Sequence, residues 1–146
     1  MKYKFLLFAT LVLFVVLPIP PLGKRGAYNT ISEMIWCNNQ SACIHEVGHK
    51  LDDEADWISH SNEFSLAVSA FVWHEIAEHE ITHPYVYKIM KFPGIFSYAP
   101  PWTDPNAELY ASIFQWSEGK KENMPEIFRR FYDWERAQEL IDEIKR

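Results

Sequence analysis

Two histidines one helical turn apart, with a glutamate beside the first, constrain this chain more than any other feature. Residues 43–53 read Cys-Ile-His-Glu-Val-Gly-His-Lys-Leu-Asp-Asp, which places His45 and His49 at i and i+4. On an α-helix those positions lie about 40° apart and one turn along, so both imidazoles can reach one Zn²⁺ ion at about 2.0–2.1 Å. Glu46 sits next to the first histidine, beside the metal but not on it. There it can take a proton from water that the metal activates. The neighbours Cys43, Ile44, Val47 and Gly48 are small or apolar, as a buried helix face requires. Gly48 costs about 1 kcal/mol in a helix interior, a cost usually met where another backbone must pass close. The segment predicts a helix over 40–56 that carries the core of a zinc hydrolase.

The same spacing recurs in His79-Glu80-Ile81-Thr82-His83. Pro84 follows directly and biases His83 away from helical backbone, so this second match is rejected as a metal helix. The stretch 62–82 reads as a helix. Its apolar stripe runs through Leu66, Ala70, Phe71, Val72, Ile76 and Ala77, and its polar face carries His74, Glu75, Glu78 and His79. That face is solvated or lines a cleft.

Catalytic zinc keeps three protein ligands and one open position, so a third ligand is required. A histidine following His49 by six residues is one solution, but Ala55 stands there and Asp56 next. The other histidines, His60, His74, His79 and His83, are weaker candidates than Glu108. Around Glu108 the sequence is a helix start, with Asp104 as N-cap and Pro105 at the first position. Leu109, Ile113 and Trp116 then form a core-facing stripe that Glu108 borders. A carboxylate turned inward there is costly unless paired or metal-bound.

The two stretches together, His45 to Asp53 and then Asn106-Ala107-Glu108-Leu109-Tyr110-Ala111-Ser112-Ile113-Phe114, resemble the gluzincin metallopeptidases, in particular the catalytic domain of anthrax toxin lethal factor and its relatives. The resemblance implies zinc ligands His45, His49 and Glu108, with Glu46 as general base. That family tends to place a tyrosine upstream of the ligand glutamate to stabilise the oxyanion, and the resemblance gives this role to Tyr98. The chain departs from the family four residues after the glutamate, where an acidic residue is frequent and Ser112 stands here. Asp53, one turn after His49, is a candidate partner for a ligand imidazole. Asp52 and Asp53 are equally compatible with simple solvation.

Residues 5–22 are uncharged and nearly all apolar, preceded by Lys2 and Lys4 and followed by Lys24 and Arg25. Residues 1–24 therefore read as a signal peptide or a membrane anchor, with 25–146 as one extracytoplasmic domain that is secreted or held at the membrane. The net charge of −6 becomes more negative once the leader lysines are set aside, which argues against nucleic-acid binding. The only cysteines, Cys37 and Cys43, can close a short disulfide loop in an exported chain or remain as buried thiols.

The expected fold is mainly α, a small zincin-like domain with a reduced or absent sheet behind an N-terminal apolar helix. Further helices are expected over 28–36, 105–117 and 125–145, the last with Asn123 as N-cap. Residues 85–90 alternate like a strand, and 91–102 form a loop. The expected function is zinc-dependent hydrolysis of peptide or protein substrates. The rival is a non-catalytic, membrane-associated interaction protein with a structural or degenerate zinc site.

Overall fold

A computed structural model describes residues 26–77, 83–94 and 104–145. The readings for 1–24, Glu78, His79 and Tyr98 lie outside those residues. Within them the fold is mainly helical, with one two-stranded sheet.

The sheet is a hairpin of β1 (Gly26–Asn29) and β2 (Met34–Cys37), antiparallel, with Gly26 opposite Cys37 and Asn29 opposite Met34. It replaces the helix expected over 28–36. Asn29 diverts the chain, because its side-chain oxygen accepts the backbone N–H groups of Ile31 and Ser32 at 2.9 and 3.0 Å. Such a side-chain-to-backbone turn competes directly with helix formation. Glu33 then takes φ 54°, which no helix contains.

Helix α1 (Gln40–Glu54) carries the histidine motif. Asn39 caps it by accepting the Ala42 N–H at 2.9 Å. A disulfide between Cys37 and Cys43 joins the end of β2 to its first turn. The buried side of α1 presents Ile44, Val47, Gly48 and Leu51 to the core.

Helix α2 (Asn62–Ala77) buries Phe64, Ala67, Val68, Phe71 and Val72. Leu66 and Ala70, expected on the apolar stripe, face outward instead, and Leu66 is 68% exposed. Helix α3 (Pro84–Met90) stands where a strand was expected. His83 does leave helical backbone, at φ −79° and ψ 120°, as Pro84 demands, and it then caps α3 by accepting from the Tyr85 N–H. Proline thus sets the start of α3.

Helix α4 (Pro105–Trp116) begins as expected. Asp104 accepts the N–H groups of Asn106 and Ala107, and Pro105 takes the first position. The helix expected over 125–145 is broken into α5 (Glu126–Arg129) and α6 (Trp134–Ile144). The break lets both Phe131 and Tyr132 turn into the core, where Tyr110 donates to the Phe131 carbonyl at 2.6 Å and Tyr132 to the Tyr110 carbonyl at 2.8 Å. Asp133, not Asn123, caps the longer C-terminal helix. Phe64, Tyr110, Phe114, Phe128, Phe131 and Tyr132 make an aromatic layer behind α4 that fixes its position. Among the described residues, no helix is long and apolar enough to cross a membrane.

Candidate metal centre

The centre is built by two helices whose backbones nearly touch. At Gly48 an added Cβ would lie 2.7 Å from Cα of Ala111, so α1 and α4 approach at a distance only glycine permits. This close crossing brings Glu108, one turn before Ala111, to the two histidines of α1.

His45 Nε2 and His49 Nε2 are 3.2 Å apart. Glu108 sets Oε2 3.3 Å from His45 Nε2 and Oε1 3.5 Å from His49 Nε2. All three residues offer ligand atoms within 4.8 Å of one another, a group able to hold a metal ion. A cation with tetrahedral bonds of about 2.0–2.1 Å holds its donors about 3.3–3.4 Å apart. The two imidazole nitrogens lie close to one such edge apart, and each faces a different oxygen of the Glu108 carboxylate at a similar distance. The donor set of two imidazoles and a carboxylate fits a first-row divalent ion.

Charge is arranged to suit. Hydrogen bonds from His45 and His49 hold the Glu108 carboxyl well below the usual carboxylate range, against a burial effect that would raise it. Burial alone would push His49 down, but its hydrogen bond to Glu108 and the nearby charges of Glu108, Glu46 and Asp52 hold it above the ordinary imidazole value. Donors and counter-charge thus converge on one point.

A cleft of about 570 Å³ opens beside this point. Its walls include His45, Glu46, His49 and Glu108, and strand β1 contributes Gly26, Ala27 and Tyr28. Glu46 lies in the wall with only 7% of its surface exposed. Four residues nominated for chemistry are therefore brought together.

Others go elsewhere. His60, a rival ligand, lies 2.6 Å from Asp104 Oδ2 and stacks on Trp57. His83 serves as the cap of α3, and His74 is exposed on α2. Asp53 accepts the Tyr28 hydroxyl at 2.7 Å rather than an imidazole. Asp52 is fully buried and accepts the Ser59 N–H at 2.9 Å, so it is not a solvated surface carboxylate. Burial raises its pKa.

Sequence reasoning did not anticipate Gly26, Trp57 or Gln115 in the cleft wall. Gly26 carried no local signal, because its role comes from a contact with Glu46 across the fold. Gln115, which donates to Ser41 Oγ at 2.9 Å, could have been reached from Glu108, since it lies two turns along the same helix. Comparison of the chain with protein-family models, with curated proteins and with solved structures gives no match.

Proposed function

We propose that this protein is a small zinc metallopeptidase of the gluzincin type, with His45, His49 and Glu108 holding the metal and Glu46 as general base. One observation carries the reading: His45, His49 and Glu108 offer ligand atoms within 4.8 Å of one another on the wall of an open cleft that also contains a buried glutamate. Structural zinc sites are closed by four protein ligands, whereas catalytic sites keep three and leave one position open. Among the described residues the group has three members, which favours catalysis over a structural zinc site.

Zinc, when bound, supplies Lewis acidity that polarises a peptide carbonyl and acidifies water. The residues of the chain do the rest. The Glu46 carboxylate accepts the proton of the attacking water and passes it to the nitrogen of the leaving amine. Burial of Glu46 keeps bulk water from competing for that proton. Strand β1 walls the cleft and supplies backbone beside which an extended substrate peptide can lie. Tyr98 keeps the oxyanion role that the resemblance gives it.

The apolar run 5–22 supports export, with retention at the membrane if it is not cleaved. The Cys37–Cys43 disulfide supports an oxidising compartment. The acidic balance fits a protein or peptide partner rather than nucleic acid.

The test is metal analysis of the purified chain followed by a peptide-library assay. One equivalent of zinc and cleavage by the wild type are expected. Glu46→Gln should keep the zinc and lose about 10²–10⁴-fold in kcat. A folded protein that takes up no added zinc ends the proposal, and so does a variant that cleaves as fast as the wild type.

A further inference from the structure

We propose that Gly26 is a positioning residue for the carboxylate of Glu46, and that the Cys37–Cys43 disulfide holds Gly26 in that place. The inference rests on the peptidase reading only for its kinetic consequence.

Three contacts form a closed loop. First, the Glu46 side chain lies along the bare Cα of Gly26. A Cβ there would sit 2.7 Å from Glu46 Oε1, 2.9 Å from its Cγ and 3.2 Å from its Cδ. Second, Gly26 faces Cys37 across the β1–β2 ladder. Third, Cys37 is bonded to Cys43, which lies three residues before Glu46 on α1. The path from Glu46 back to itself therefore runs through less than one helical turn, one disulfide and one strand pair. A second tie, the Tyr28 hydroxyl on Asp53, fixes β1 farther along the same helix.

Gly26 is not needed for its backbone freedom. The glycines with positive φ among the described residues are Gly94 and Gly119. Gly26 is needed for space, and the space is taken by the side chain that the mechanism uses as base. Glutamate has several rotatable bonds, and a general base must be held within hydrogen-bond reach of the proton it takes. The hairpin supplies that restraint. A methyl group at position 26 meets the end of a flexible side chain and not backbone, so the fold can survive it and the carboxylate must move.

The test uses the zinc-loaded full chain in detergent. For Gly26→Ala, zinc content and thermal midpoint should match the wild type. Its kcat on a peptide that the wild type cleaves should fall about 100-fold, the scale expected when a reacting group is misplaced by ~1 Å, with KM little changed. Met34→Ala, on the outward and exposed side of the hairpin, should leave both constants unchanged. A second arm needs no substrate. Through-space NMR contacts between the Gly26 Hα protons and the Glu46 side chain should be strong in the wild type and lost in the Cys37→Ser/Cys43→Ser double variant. Contacts of full strength in the double variant would overturn the role of the disulfide, and a fully active Gly26→Ala would overturn that of Gly26. A wild type that cleaves no peptide yet shows disulfide-dependent contacts would support the positioning and remove the peptidase reading alone.

Discussion

Gly48 and Ala111 meet backbone to backbone, and this contact is what brings His45, His49 and Glu108 together from two separate helices. A Cβ at Gly48 would lie 2.7 Å from Ala111 Cα and 3.1 Å from its Cβ and its carbonyl oxygen. The contact stands beside His49 on one helix and one turn from Glu108 on the other. Gly48→Ala therefore sets two effects against each other. Alanine favours the helix by about 1 kcal/mol, while overpacking a core typically costs ~1–3 kcal/mol. The obstructing atoms are mostly backbone, which cannot rotate aside, so the clash wins. Urea unfolding of the metal-free variant should show net destabilisation of about 1–2 kcal/mol, the upper end of that difference. Zinc affinity should fall as well, because α4 carries Glu108 away from the histidines. A variant more stable than wild type would mean that the helices do not cross this closely.

Glu108 and His74 give a contrast that tests the ligand set. Glu108→Gln keeps the shape of the side chain but removes the anionic donor 3.3 and 3.5 Å from the two imidazoles. Competition with a zinc-binding dye should show affinity reduced on the order of 10-fold or more, at least the loss that follows when a group supporting a ligand is changed. His74, exposed on α2, should be replaceable by alanine with zinc content intact. Loss of zinc from His74→Ala with retention in Glu108→Gln would reassign the site.

Metal binding should also weaken as the pH falls, in a window set by His49. In the metal-free protein its pKa is raised, so the imidazolium–carboxylate pair with Glu108 contributes stability that is complete below the ordinary histidine value and lost as pH rises through the raised one. The Glu108 pKa is lowered, so its share is present above the ordinary carboxylate value and lost as pH falls through the depressed one. A metal ion must displace the histidine proton. Zinc affinity should therefore drop about tenfold per pH unit, for each proton displaced, below the raised His49 value and level off above it. Calorimetry in buffers of different ionisation heat gives the proton count directly. An affinity independent of pH from the acid side to neutrality would exclude His49 as a ligand.

The centre was legible in the sequence where a single element carries it. His45, Glu46 and His49 follow from helical spacing, Gly48 from the cost of glycine in a helix, and the helix start before Glu108 from Asp104 and Pro105. The hairpin was not legible. Tyr28, Ile31 and Ile35 recur at helical intervals, yet the Asn29 side-chain oxygen accepts the Ile31 and Ser32 amides and turns the chain. Residues 85–90 alternate like a strand, but Pro84 and the His83 cap start a helix that buries Tyr85, Val86 and Ile89. The long C-terminal periodicity hid a break that exists because Phe131 and Tyr132 both need the core. In each case a side chain acting on a backbone, or a contact across the fold, outweighed the local pattern.

Asp52 allows a last test, of how the buried side of α1 is built. Its side chain is fully buried, Oδ1 accepts the Ser59 N–H at 2.9 Å, and Oδ2 has no partner among the described residues. Burial raises its pKa above the ordinary aspartate value, although hydrogen bonding from Ser59 and the charges of His49 and His60 oppose this. A raised carboxyl pKa means that the folded state favours the protonated form. Its contribution to stability is complete below the unfolded pKa and is lost as pH rises through the folded one. Asp52→Asn keeps an oxygen for the Ser59 N–H and removes the charge. The variant should match the wild type in acid, and its relative stability should rise as the pH is brought toward neutrality. Urea unfolding of the metal-free proteins across that range reads the difference. A relative stability that falls with rising pH would show instead that the fold holds Asp52 as an anion, paired through its charge with the ligand histidine.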